Sequence, residues 1–104
     1  MRVLRDFEGR TIRLTNERLE HILAHPEMKG LIHVIEQTLA YPQRVVQSLS
    51  DADARLYYRF YSETVVKGKY LCVVVKFARD NAFILTAYLT DSIKKGEILW
   101  PRKS

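Results

Sequence analysis

The sequence predicts one α+β domain over residues 1–104, with two N-terminal helices packed on a curled four-stranded antiparallel sheet and a short helical turn near the C-terminal end. Three observations predict it. Apolar residues recur at helical spacing before Pro42, and the period changes to two after it. The links between the later segments are short and turn-like, which favours hairpins over crossovers. Helix and strand signals are therefore segregated along the chain, the pattern of an α+β domain.

Taken in order, Arg10-Thr-Ile-Arg-Leu14 alternates weakly and reads as a short edge strand. Thr15 or Asn16 then offers an N-cap, with Glu17 as an acid in the first turn. Leu19, Ile22 and Leu23 fall on one helical face, and Pro26 stops that helix. Gly30 separates it from a second helix with the stripe Leu31, Ile32, Ile35 and Leu39, which ends at Pro42. Strands are expected at Arg44–Leu49, Arg55–Glu63, Lys69–Ala78 and Ala82–Thr90. Ser50-Asp-Ala-Asp-Ala54, the Gly68 turn and Arg79-Asp-Asn81 connect them. Asp91–Glu97 supplies the last amphipathic turn before Trp100.

Size and composition narrow the class. A chain of 104 residues has room for one core, and a hydrophobic share of 47% suits a globular protein rather than a disordered one. No apolar run reaches the roughly 18 residues of a membrane span. The start, Met1-Arg-Val-Leu-Arg-Asp6, lacks the apolar stretch of a secretory signal. The lone Cys72 sits in the apolar run Tyr70-Leu-Cys-Val-Val-Val75, so it forms no intramolecular disulfide and suits a reducing cytoplasm, the expected location. Lys plus Arg number 17 against 12 Asp plus Glu, a net charge of +5 that favours acidic partners, nucleic acid first among them. The basic residues gather in the first segment (Arg2, Arg5, Arg10, Arg13, Arg18) and the last (Lys94, Lys95, Arg102, Lys103).

Alternation assigns side chains to sheet faces. Leu71, Val73, Val75 and Phe77 should lie under the helices, opposite Tyr70, Cys72, Val74 and Lys76. Arg55, Tyr57, Arg59 and Tyr61 share one face of the preceding strand. In the last strand, Phe83, Leu85, Ala87 and Leu89 oppose Ile84, Thr86, Tyr88 and Thr90. Each of three neighbouring strands thus has a face with a polar or basic group in its middle: Arg59, Lys76 and Thr86. If those faces coincide, a cationic patch flanked by Tyr57, Tyr61 and Tyr88 results, suited to phosphate and base.

The residues that could carry chemistry each have a plainer reading. Lys76 either snorkels from a half-exposed sheet or neutralises a phosphate in a transition state. Arg59 either stacks on neighbouring rings or grips phosphate with its guanidinium fork. His21 and His25 lie about 40° apart on a helix, with Glu17 one turn earlier on the same line. His21 is the candidate general acid–base, while His25 before Pro26 also serves as a helix-end cap. His-x-x-x-His without further ligands makes a poor zinc site, so no metal is expected. His33, beside the core stripe, reads as structural. Thr86 and Tyr88 are either ordinary strand residues or a phosphate hydrogen-bond donor and a base-stacking or proton-donating phenol. Lys94-Lys95-Gly96 lacks the frame of a nucleotide loop, so no nucleotide cofactor is expected.

The run Leu14-Thr-Asn-Glu-Arg-Leu-Glu-His-Ile-Leu-Ala-His-Pro-Glu-Met28 resembles the opening helix of small phage and bacterial domains of the barnase–EndoU–colicin–RelE nuclease superfamily. Leu56-Tyr-Tyr-Arg59, Lys69-Tyr-Leu-Cys-Val-Val-Val-Lys76, Ile84-Leu-Thr-Ala-Tyr-Leu-Thr-Asp91 and Ile93-Lys-Lys-Gly96 follow in matching order, so the likeness runs from about Ile12 to Trp100. It implies a barnase/RelE-like sheet and a metal-independent, toxin-type endoribonuclease, in which a 2′-hydroxyl attacks the adjacent phosphate. By the same resemblance His21 is general acid or base, Arg59 and Lys76 hold the phosphate, and Thr86 and Tyr88 complete the site. Glu17, His25, Tyr57, Tyr61 and Lys94 are further candidate substrate contacts. The expected partners are RNA and an acidic antitoxin or immunity-type protein. A catalytically inactive RNA-binding or protein-interaction module on the same fold is the alternative.

Overall fold

The computed structural model describes residues 1–62 and 68–102. A hairpin comes first: β1 (Arg2–Arg5) and β2 (Thr11–Leu14) pair antiparallel, with Leu4 opposite Ile12. The buried carboxylate of Asp6 shapes their turn by accepting the backbone N–H groups of Glu8 and Arg10 at 3.0 and 2.9 Å. Helix α1 (Asn16–Leu23) follows, and Thr15 caps it by accepting the Arg18 N–H at 3.2 Å. A single 3-10 turn at Pro26–Met28 leads to α2 (Ile32–Ala40). The meander β3 (Arg44–Gln47), β4 (Ala54–Tyr61), β5 (Lys69–Ala78) and β6 (Asn81–Thr90) completes the expected antiparallel run, and β7 (Ile98–Trp100) closes the order.

The sheet corrects the expected four strands. It has seven, in the order β1-β2-β6-β5-β4-β3-β7, and it is mixed because β2 runs parallel to β6. The additional strands β1, β2 and β7 are four residues long or fewer; β1 joins through its hairpin with β2, while β2 and β7 are held by β6 and β3, distant in sequence. β2 is not an edge: it lies between β1 and β6. The expected helical turn at Asp91–Glu97 is also absent; that segment crosses the sheet without helix, with Ile93 packed on the sheet and Ser92 turned back onto the Thr90 hydroxyl. Glu63, expected at the end of a strand, lies outside the described residues, as does Lys103.

Both helices pack on one face. Ile22, Met28, Val34, Ile35 and Leu39 meet Tyr57, Leu71, Val73, Val75 and Ile84, all buried. The face opposite carries a smaller cluster of Val46, Leu56, Tyr58 and Cys72, bordered by Tyr70, Val74, Tyr88 and Ile93. A β-bulge decides which β6 residues belong to which face. Val74 pairs with Thr86 but Val75 pairs with Ile84, so Leu85 is the extra residue. Strict alternation grouped Ile84 with Thr86 and Tyr88; the bulge instead turns Ile84 into the helix-side core, where it is fully buried.

The sheet curls until its two edges approach. Phe7 in the β1–β2 turn lies 5.0 Å from Trp100 on β7, ring centre to ring centre, and Arg102 reaches Glu8 at 3.4 Å. No helix among the described residues is long and apolar enough to cross a membrane.

Candidate nucleic-acid interface on the open sheet face

The helix-free face carries a hollow of about 530 Å³. Its floor is apolar: Leu56 of β4, Val74 of β5 and the bulged Leu85 of β6. Thr86 and Tyr88 of β6 line one wall, the β3–β4 loop with Ser48, Ser50 and Asp51 another, and Lys94 and Lys95 border it from the segment after β6.

Each polar group is placed by a local cause. Lys76, on the open face of β5, pairs with Asp51 at 2.5 Å. Their shared hydrogen bond lowers the carboxyl pKa of Asp51 and raises that of the Lys76 ammonium, so both stay charged near neutrality. The backbone N–H of Lys94 donates to the Tyr58 hydroxyl at 3.1 Å, anchoring the segment that carries both lysines. Gly96 fixes its far end: a Cβ there would lie 2.3 Å from the Gln47 carbonyl oxygen, so no larger residue fits without moving backbone. Burial pushes the Tyr58 hydroxyl up to about 12 and raises that of Tyr88 further. Both phenols remain protonated donors across the physiological range. Burial likewise pushes the Cys72 thiol up to about 11, keeping it an unreactive neighbour of the two phenols.

Of the residues singled out in the sequence, Thr86, Tyr88 and Lys94 line the hollow and Lys76 is linked to it through Asp51; the others lie apart from them. Arg59 faces Leu71 across the strands on the helix side, where it donates to the Tyr41 carbonyl at 2.7 Å and lies 6.0 Å from the Tyr61 ring. The faces of Arg59 and Lys76 therefore do not coincide, because an odd and an even offset along the β4–β5 register point them to opposite sides. Tyr57 is fully buried and donates to Asp6 at 2.7 Å; Tyr61 shares a hydrogen bond with Thr38 of α2 at 3.1 Å. Both are helix-side structural groups rather than flanks of a patch. Glu17 and His21 are exposed on α1 and His25 is exposed just beyond it, with the two imidazoles 6.1 Å apart edge to face. Since α1 packs on the helix side, none of the three reaches the hollow. His33 is exposed on α2.

The sequence reading missed Asp51, Tyr58 and Lys95 as members of this site. Asp51 sits in a turn-rich stretch that reads as a connector, and only the β4–β5 register brings it to Lys76. Lys95 had a visible signal in the pair Lys94-Lys95 next to a glycine. Among the described residues, no group of three or more His, Cys, Asp or Glu side chains is placed to hold a metal ion. No known family, curated protein or solved structure matches the chain, and its functional reading starts from this hollow.

Proposed function

We propose that the chain binds single-stranded RNA across the open sheet face and cleaves it without a metal, by attack of a 2′-hydroxyl on the adjacent phosphorus. The observation that carries this is the meeting of Lys94, Lys95, the Lys76–Asp51 pair and the hydroxyls of Thr86 and Tyr88 around one hollow with an apolar floor. Ammonium groups at the rim attract the phosphodiester backbone, and an apolar floor beside a phenol accepts an unstacked base, which a duplex does not offer. The likeness of the sequence to the barnase–EndoU–colicin–RelE superfamily supports RNA as the polymer.

The chemistry follows from what stands in the hollow. Asp51, held as a carboxylate, is the proton acceptor for the 2′-hydroxyl once a phosphate draws Lys76 toward itself. The 2′-oxygen–phosphorus bond forms, the bond from phosphorus to the 5′-oxygen breaks, and that oxygen takes a proton from Tyr88 or Lys76. Lys94 and Lys95 oppose the charge that builds on the phosphoryl oxygens. A binding module that does not cut is the second reading, favoured by the position of His21 across the sheet from these groups.

A fluorogenic single-stranded RNA incubated with the chain in EDTA tests both. Cleavage should persist under chelation, fall at least about 100-fold in Asp51→Asn and in Lys76→Ala, and survive in His21→Ala and Arg59→Ala. RNA binding without product establishes the second reading, and absence of binding at low salt removes both.

A further inference from the structure

A groove of about 540 Å³ runs along the free edge of β1, and it is separate from the hollow on the open face. Every residue of β1 lines it, and α2 with Tyr41 just beyond it forms the other wall. β1 ends the sheet order, so one side of its backbone has no strand beside it. The direction of its hydrogen-bonding groups can be read from the turn. The Asp6 N–H bonds to the Arg10 carbonyl, in line with the register that pairs Leu4 with Ile12 and Arg2 with Leu14. Alternation along an antiparallel ladder then points the N–H and C=O groups of Arg2 and Leu4 toward β2, and those of Val3 and Arg5 outward into the groove.

We propose that this groove takes an extended acidic segment of a partner protein by strand addition to β1. An exposed edge beside a helix is the geometry in which a peptide gains main-chain hydrogen bonds from a strand and side-chain contacts from a helix. The side chains specify the chemistry of the occupant. Arg2 and Arg5 are exposed on its walls against the single acid Glu36, with the His33 ring beside them, so carboxylates on the incoming strand find cationic partners in the two arginines. Val3, 58% exposed, and Tyr41, 67% exposed, offer apolar contact between them.

The same residues argue against two other occupants. A second copy pairing antiparallel through its own outward groups at Val3 and Arg5 would gather Arg2 and Arg5 of both copies along one pair of short strands, and like charges brought together across strands are destabilising. Nucleic acid has no alternating amide and carbonyl groups to continue the ladder. This inference is independent of the RNA reading, since the groove shares no lining residue with the hollow.

The probe is a fluorescein-labelled eight-residue peptide alternating Glu and Val, compared with one alternating Lys and Val. The Glu peptide should bind by fluorescence polarisation, the Lys peptide should not, and amide hydrogen exchange at Val3 and Arg5 should slow on binding. Val3→Pro removes one outward N–H while leaving the β1–β2 ladder its own bonds, so it should weaken the Glu peptide about tenfold or more with RNA affinity unchanged. Arg2→Glu with Arg5→Glu should weaken it comparably, which keeps the test decisive if Val3→Pro folds poorly. No binding of the Glu peptide, binding indifferent to both variants, displacement by RNA, or a dimer that protects the Val3 and Arg5 amides without peptide would each overturn the proposal.

Discussion

Asp6→Ala is expected to cost about 3–5 kcal/mol of folding stability, as much as truncating a large side chain of the core. Asp6 is 4% exposed, and its carboxylate accepts from the Tyr57 hydroxyl at 2.7 Å, Arg10 Nε at 2.9 Å and the backbone N–H groups of Glu8 and Arg10. Truncation leaves a buried phenol and a half-buried guanidinium without their acceptor. It also frees the turn that carries Phe7 to Trp100, and with it the contact between the two edges of the sheet. Tyr57→Phe leaves the carboxylate its other donors and should cost only about 1–2 kcal/mol. Urea unfolding followed by circular dichroism measures both; an Asp6→Ala loss below about 1 kcal/mol would show that the turn is held some other way.

The same network sets a pH dependence. Burial alone would raise the Asp6 carboxyl, but the bonds from Tyr57 and Arg10 outweigh it and hold the folded-state pKa below the ordinary value of 3.8. A group lowered in the folded state contributes stability that is present above its unfolded pKa and is lost as the pH falls through the folded one. Stability should therefore decline below about pH 4 in the wild-type chain, and Asp6→Asn should flatten that decline.

Lys94→Glu combined with Lys95→Glu is expected to weaken single-stranded RNA binding by roughly 100-fold at low salt and to reduce its salt dependence. Both side chains border the hollow from one anchored segment, between the Lys94–Tyr58 hydrogen bond and the glycine packed on β3. Their reversal replaces attraction with repulsion at the point where a phosphate would sit, and neither residue is buried, so the fold should be unaffected. Arg18→Glu combined with Arg59→Glu is the matched control: it changes the charge by the same amount on the helix side and should alter RNA affinity far less. Equal losses from the two would mean that binding follows net charge rather than this hollow.

The legible elements were those with a period long enough to count. The turn chemistry and apolar runs of β5 and β6 set their lengths to within a residue, and the helix cap was legible as Thr15 or Asn16 because its chemistry is local, with Thr15 the one that caps. Which face of β4 meets the helices was not legible. Tyr57 and Tyr61 on one side are matched by Tyr58 and Phe60 on the other, so hydrophobicity does not choose between them. The choice rests on partners far along the chain: Asp6 for the Tyr57 hydroxyl and Thr38 for that of Tyr61. Arg59 follows Tyr57 and Tyr61 to the helix side, which is why the expected cationic patch divides. The bulge at Leu85 was equally hidden, since one unpaired residue leaves no mark in an apolar run, yet it alone moves Ile84 into the core and leaves Leu85 in the floor of the hollow.

The most direct measurement of where RNA sits is photo-cross-linking of a 4-thiouridine oligonucleotide to the unmodified chain, with the attachment points mapped by mass spectrometry. Cross-links should concentrate on Tyr88, Tyr58 and the Lys94–Lys95 segment. Cross-links gathered instead on α1 and around Arg59 would contradict the open-face site.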